Sequence, residues 1–122
     1  MKTYKDLEIY QEGYNLALEM YNITKKFPKE EQYLMISQIR RAATSIPMNI
    51  AEGYGRMSKL EMGRFTKMAI GSCNEIRVIL EISKDLKYLD EKTYENVIER
   101  YNVLGKRMNK FLQSLTTNED KS

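Results

Sequence analysis

Gln38, Arg41, Ser45, Asn49 and Glu52 recur at steps of three and four, which on a helix sets them in one continuous polar stripe. Ile36, Ile39, Ala43, Ile46 and Ile50 run beside it as an apolar stripe. A plainly solvated face would be filled with Glu and Lys. Amides and hydroxyls in ordered register point instead to groups that meet specific partners. Glu75, on a later helix, supplies a second carboxylate, and a Glu52–Glu75 pair is a constellation able to do acid–base work. Inside a bundle such carboxylates more commonly pair with an arginine or cap backbone amides. Gln38, Arg41, Ser45, Asn49, Glu52 and Glu75 are therefore predicted to form a structural polar network, with Arg41, Asn49, Glu52 and Glu75 at least partly buried.

Other chemistry is excluded by composition. The 122 residues contain no histidine, the commonest general base and metal ligand, and one cysteine, Cys73. The usual zinc sites and the Glu-x-x-His di-iron device of four-helix bundles cannot be built from such a chain. No Walker loop or Rossmann glycine pattern occurs, and Gly53-Tyr54-Gly55 is too short for either. We expect no enzyme, catalytic residue, metal or cofactor. Cys73 reads as a packed thiol, and an unpaired cysteine fits a reducing compartment. The opening Met1-Lys-Thr-Tyr-Lys-Asp-Leu-Glu lacks the apolar stretch of a secretory signal, and no apolar run approaches a membrane span. The expected location is the cytoplasm, with no membrane partner.

Net charge is only +3, so distribution matters more than balance. Between residues 40 and 77, Arg40, Arg41, Arg56, Lys59, Arg64, Lys67 and Arg77 face three acids, Glu52, Glu61 and Glu75. Residues 78 to 99 reverse this, and then Arg100, Lys106, Arg107 and Lys110 follow with no acid between them. Grouped cations of this kind make a local positive surface suited to phosphates. The candidate nucleic-acid contacts are Arg40, Arg56, Arg64, Lys67, Arg100, Arg107 and Lys110. Arg40 is expected to face solvent, and Arg100, Arg107 and Lys110 to share a face of the last helix. Most of the nine tyrosines fall on helical seams, which leaves Tyr54, read as a loop residue beside Arg56, to stack on a base.

Four helical segments must position these groups, and no strand pattern competes. The first runs from about Tyr4 to Lys26, with Leu7, Tyr10, Tyr14, Ala17 and Tyr21 as its bundle seam. Ile9, Leu16, Met20 and Ile23 form a second apolar row, for which self-association is the natural outlet. The second helix runs from Pro28 or Lys29 to about Gly53, with a kink rather than a stop at Pro47 and a glycine exit at Gly53-Tyr54-Gly55. Ser58-Lys-Leu-Glu61 is a capping box for the third, which carries the seam Phe65, Ala69, Ser72, Ile76, Ile79, Ser83 and Leu86 and ends near Tyr88. Within it, small Ala69, Gly71 and Ser72 would admit a neighbouring helix closely. Asp90 caps the last, whose Tyr94, Val97, Tyr101, Leu104, Met108, Phe111 and Leu115 make a clean heptad. Short connections make successive helices antiparallel neighbours. The expected fold is all-α, an up-and-down antiparallel four-helix bundle forming one domain over 1–122, structured over about 4–115 with a frayed tail at 116–122.

The run Arg40-Arg41-Ala-Ala-Thr-Ser-Ile-Pro-Met-Asn-Ile-Ala-Glu-Gly53, with Met68-Ala-Ile-Gly-Ser-Cys-Asn-Glu-Ile76, resembles the bacterial four-helix bundle proteins encoded in intervening sequences of 23S rRNA genes, also called S23 ribosomal proteins. It is also similar to the accessory variability-determinant proteins of diversity-generating retroelements. The resemblance implies a homopentamer that binds nucleic acid, RNA foremost. It also admits a scaffold for a protein partner, such as a reverse transcriptase, or a structural role on the ribosome. The last reading is the weakest, because ribosomal proteins carry far more basic charge and extended tails.

Overall fold

Thr3 shapes the first turn through a reciprocal cap. Its hydroxyl accepts from the Lys5 amide at 3.1 Å, and Asp6 Oδ2 accepts from the Thr3 amide at 3.1 Å. A 3-10 turn over Tyr4–Asp6 results, and Leu7 then goes extended (φ −78°, ψ 127°) with its side chain buried. The first α-helix, α1, accordingly spans Glu8–Thr24 and does not begin at Tyr4. The computed structural model describes residues 3–121, with side chains over 3–115. The expected frayed tail at 116–122 lies outside the described side chains.

The entry to the second helix also differs from expectation. A 3-10 turn at Lys29–Glu31 and a π-turn at Gln32–Ile36 precede α2 proper, Ser37–Gly55. The Tyr88 hydroxyl donates to Glu31 Oε2 at 2.8 Å and the Phe27 and Tyr88 rings lie 5.6 Å apart, which ties this entry to the far end of the third helix. Such long-range ties are invisible to local periodicity. Pro47 removes an amide donor from the middle of α2. Side chains stitch the surrounding turn: Thr44 Oγ1 donates to the Arg40 carbonyl, Ser45 Oγ to the Ala42 carbonyl and Asn49 Nδ2 to the Ser45 carbonyl, all within 2.9 Å. The helix therefore continues through the proline.

Exit from α2 is through Met57 (φ 59°), a left-handed residue that is not one of the expected glycines; Gly55 is the last helical residue. The third helix, α3, spans Lys59–Asp85, capped by the Ser58 hydroxyl accepting from the Glu61 amide at 3.0 Å. It ends in a Schellman pattern, with Tyr88 N–H on the Ser83 carbonyl and Lys87 N–H on the Lys84 carbonyl, both 2.9 Å, and Lys87 left-handed at φ 67°. The fourth, α4, spans Glu91–Lys121 and is capped by Asp90, whose Oδ1 accepts from the Thr93 amide at 2.7 Å.

That amide bond, first among the causes, holds the Asp90 carboxyl below its ordinary range. The native state thus prefers the ionised form. The stability Asp90 adds is present above the unfolded carboxyl value near 3.9 and lost as pH falls through the lower folded one. We expect the urea midpoint of Asp90→Asn, which caps without titrating, to change less between pH 5 and pH 3 than the wild-type midpoint. Equal changes would contradict this role for Asp90.

Cross-helix pairs fix the topology. Gly13 meets Ile46 and Thr24 meets Arg40; Ser45 meets Ser72; Gly53 meets Phe65; Arg77 meets Asn102; Lys84 meets Tyr94; Glu8 and Glu19 meet Arg107 and Arg100. In each helix pair the numbers step in opposite directions, so all four neighbours are antiparallel and α4 closes back on α1. The protein is an all-α, up-and-down four-helix bundle with no strand among the described residues. Leu16, Met20, Ile39, Ile46, Ile50, Ile76, Leu80, Tyr101, Leu104 and Met108 fill its core.

Two expectations about helix faces are corrected. On α1 the core takes Ile9, Gly13, Leu16, Ala17, Met20 and Thr24, while Tyr14 (48% exposed) and Tyr21 (41%) point outward. Of the row assigned to the bundle seam, Leu7 and Ala17 are buried as expected, and Tyr14 and Tyr21 lie on the outer face. Both rows have helical period, and what separates them is Gly13, whose missing side chain lets Ile46 of α2 approach the α1 backbone. On α3, Gly71 is exposed with nothing within 4 Å of the place where its Cβ would stand, so it admits no neighbour within the chain. Leu86, expected in the seam, is likewise exposed. Among the described residues no helix is long and apolar enough to cross a membrane.

Candidate nucleic-acid interface

The polar stripe of α2 lies along the α2/α3 groove. Arg41 Nη2 donates to Glu75 Oε2 at 2.8 Å across the helices, and the Ser45 and Ser72 hydroxyls bond at 2.5 Å. Gln38 and Glu52 do not join them: Gln38 is exposed, and Glu52 accepts from Arg56 one turn along at 3.0 Å. Asn49 is half-buried and bonds its own helix. Partial burial holds for Glu75, whose side chain is 39% exposed, and is corrected for Arg41 and Glu52, which are exposed at 62% and 54%. Within one chain, breaking the exposed Arg41–Glu75 pair costs about 1 kcal/mol or less, well under the several expected of a buried pair.

Most of the candidate arginines have partners within the fold. Arg40 does not face solvent freely: Nε donates to the buried Thr24 hydroxyl at 2.9 Å, Nη2 to the Tyr21 carbonyl at 3.4 Å, and the guanidinium lies 4.6 Å from the Tyr21 ring centre. Arg56 and Arg64 both converge on Glu61. Arg64 bonds it twice, at 3.0 and 3.1 Å, and Arg56 stands 3.7 Å away; both guanidinia lie over Phe65. The Arg64 bond is the leading cause holding the Glu61 carboxyl below its ordinary range. Arg100 pairs with Glu19 at 3.9 Å, and Arg107 reaches both Glu8, at 3.4 Å, and Glu12. Arg100 and Arg107 thus clamp α4 to α1, while Lys110, exposed in the same groove as Arg107, has no carboxylate within 4 Å among the described residues.

Lysines remain. Lys59 and Lys67 on α3 and Lys106 and Lys110 on α4 are exposed, with no carboxylate partner among the described residues. All four belong to the half of the bundle where the α2–α3 connection, the start of α1 and the C-terminal part of α4 meet. Lys59 and Lys67 line a groove with Gly63, Arg64, Leu112 and Leu115; Lys110 borders another with Leu7, Ile9 and Phe111. Between them lies an apolar cleft of about 440 Å³ bounded by Leu7, Tyr54, Met57, Met62, Phe111 and Leu115. Tyr54 sits in the last turn of α2 as a half-buried wall of that cleft, not on a free loop. At the opposite end Glu30, Glu31, Asp85, Asp90, Glu91 and Glu95 are interleaved with as many lysines, Lys25, Lys26, Lys29, Lys84, Lys87 and Lys92.

A separate surface is apolar. Tyr10, Tyr14, Leu18 and Tyr21 of α1 and Pro47 and Met48 of α2 line a groove of about 370 Å³ along the outside of the bundle. The Tyr4 and Tyr10 rings meet edge to face at 4.9 Å, and Tyr10 and Tyr14 follow at 5.9 Å. On α3, Met68, Val78 and Ile82 are exposed along one row, with Gly71 and the Arg41-paired Glu75 between them. Among the described residues no cluster of three or more His, Cys, Asp or Glu side chains is arranged to hold a metal ion.

A four-helix bundle with a basic half and an uncovered aromatic face is the class of protein these features define. Residues 5–110 match the model of the 23S rRNA-intervening sequence protein family, and the chain belongs to that family. Among solved structures, a protein of unknown function from the S23 ribosomal protein family of Bacteroides thetaiotaomicron VPI-5482 superposes with a TM-score of 0.79 at 23% identity. The match covers 86% of this chain and 95% of that one, and it establishes the shared fold. No curated protein matches the sequence.

Proposed function

We propose that copies of this chain assemble through the outer aromatic face into a closed ring, and that the assembly binds RNA or DNA through phosphate contacts without catalysing a reaction. The observation that carries the reading is the group of four unpaired lysines, Lys59, Lys67, Lys106 and Lys110, in one half of the bundle. One chain offers few such contacts, and ring symmetry multiplies them. The aromatic groove of α1 and α2 and the α3 row of Met68, Val78 and Ile82 are different surfaces of one chain. A head-to-tail contact between them is the kind that closes a ring, and five is the number of subunits the family resemblance implies. The family's description refers to 23S rRNA, which favours RNA over DNA, and the expected setting is the cytoplasm. Phosphate contacts fix position and carry no sequence information. Three unrelated RNAs of equal length are therefore expected to bind within a few-fold of one another in filter binding at low salt. Absence of binding by all three would overturn the reading in favour of a scaffold for a protein partner.

A further inference from the structure

Sequence spacing puts Lys67, Ile70, Asn74 and Arg77 on one stripe of α3, and Asn102, Gly105 and Asn109 on one stripe of α4. The antiparallel packing brings the two stripes together. Arg77 Nη1 donates to Asn102 Oδ1 at 3.1 Å and Nη2 donates to Asn74 Oδ1. Gly105 lies beside the guanidinium: a Cβ there would stand 3.4 Å from Nη1, in van der Waals contact. Arg77 differs from the other arginines of the bundle. Arg41, Arg56, Arg64, Arg100 and Arg107 each lie within 4 Å of a carboxylate, and Arg40 is held by a hydroxyl, a carbonyl and a tyrosine ring. The Arg77 guanidinium is held by two neutral amide oxygens, so its charge is positioned but not cancelled.

The hydrogen-bond inventory gives the chemistry. A guanidinium has five N–H donors, and two of the five are engaged here. Each asparagine directs its oxygen at Arg77, which leaves both amide nitrogens, with two N–H groups apiece, free of described acceptors. A half-buried cation with no carboxylate within 4 Å and two free amide NH2 groups beside it favours an oxyanion. Lys106 lies one turn along α4 from Asn102, and Lys67 ten residues from Arg77 along α3, roughly 15 Å at 1.5 Å per residue. Glu81, one turn beyond Arg77 on α3 and exposed, closes the other direction. Positive charge therefore runs from Arg77 toward the lysine-rich half of the bundle.

We infer that the α3/α4 groove centred on Arg77, Asn74 and Asn102 binds a backbone phosphate of a nucleic acid, with Lys106 and Lys67 meeting the phosphates that follow. This rests on the nucleic-acid reading above and names its central contact. Asn102→Asp tests it without removing any side chain, because it gives Arg77 a carboxylate partner and is expected to hold or raise the melting temperature. The probe is a single-stranded 20-nucleotide RNA at 50 mM salt. We expect Asn102→Asp and Arg77→Gln each to weaken binding about tenfold, and Arg41→Gln, which alters an arginine already paired with Glu75, to stay within twofold of wild type. Wild-type binding with unchanged affinity in a folded Asn102→Asp protein overturns the groove alone. Failure of the wild type to bind overturns the nucleic-acid reading and the groove with it. Displacement of the RNA by millimolar inorganic phosphate at matched ionic strength assigns the groove to a free anion and overturns the backbone reading.

Discussion

Replacing Tyr14 and Leu18 together by glutamate is expected to reduce the protein to a folded monomer of 14.4 kDa. Both side chains are exposed on α1, so neither substitution opens a cavity in the core. Each places a charge in the middle of the apolar groove lined by Tyr10, Tyr14, Leu18, Tyr21, Pro47 and Met48. A charge covered by a second copy without a partner costs several kcal/mol, and every contact of a ring carries the same cost. Light scattering at tens of micromolar protein measures the effect, with circular dichroism as the check on folding. A variant that keeps the wild-type mass would show that copies do not meet through this face.

The second large effect is a change of sign. Gly13→Ala in the native sequence places a Cβ 2.9 Å from Ile46 Cγ2, closer than packed carbon atoms tolerate. The resulting overpacking is expected to outweigh the roughly 1 kcal/mol that alanine gains over glycine within a helix. Ile46→Ala alone, at a fully buried site, is expected to cost about 2–5 kcal/mol by leaving a cavity. In that background the obstructing methyl is gone, so Gly13→Ala becomes stabilising through helix propensity and partial filling of the space. Urea midpoints of the four proteins in this cycle give the coupling directly. Additive effects would mean that Gly13 and Ile46 are not the point where α1 and α2 lock together.

Much of the fold was legible because it rests on local chemistry. Ser58 and Asp90 cap α3 and α4 as their residue types and spacing foretell, and Val97, Tyr101, Leu104 and Met108 are buried as the heptad requires. What escaped depends on distant residues. Two rows on α1 share one period, and only the fit of Gly13 to Ile46 selects which faces the core. The 3-10 turn that opens the entry to α2 is held at Glu31 by Tyr88, more than fifty residues away. The candidate interface suffers in the same way. Arg100 and Arg107 look unopposed within α4, yet their carboxylates come from α1, at Glu19, Glu8 and Glu12. Lys59, Lys67, Lys106 and Lys110 survived because no carboxylate comes within 4 Å of them among the described residues. Arg77 was passed over for the opposite reason: its partners, Asn74 and Asn102, carry no charge and leave no mark on a charge count.

The central claim, that unpaired lysines of an assembled bundle hold nucleic-acid phosphates, is tested most directly by the salt dependence of affinity for one single-stranded RNA. The logarithm of the binding constant is expected to fall linearly with the logarithm of salt concentration, by about 0.7 in slope for each phosphate neutralised. Changing Lys59, Lys67, Lys106 and Lys110 together to glutamine is expected to flatten that slope while the oligomer mass stays unchanged. An affinity that does not vary with salt, or a slope that survives the four substitutions, would contradict the account.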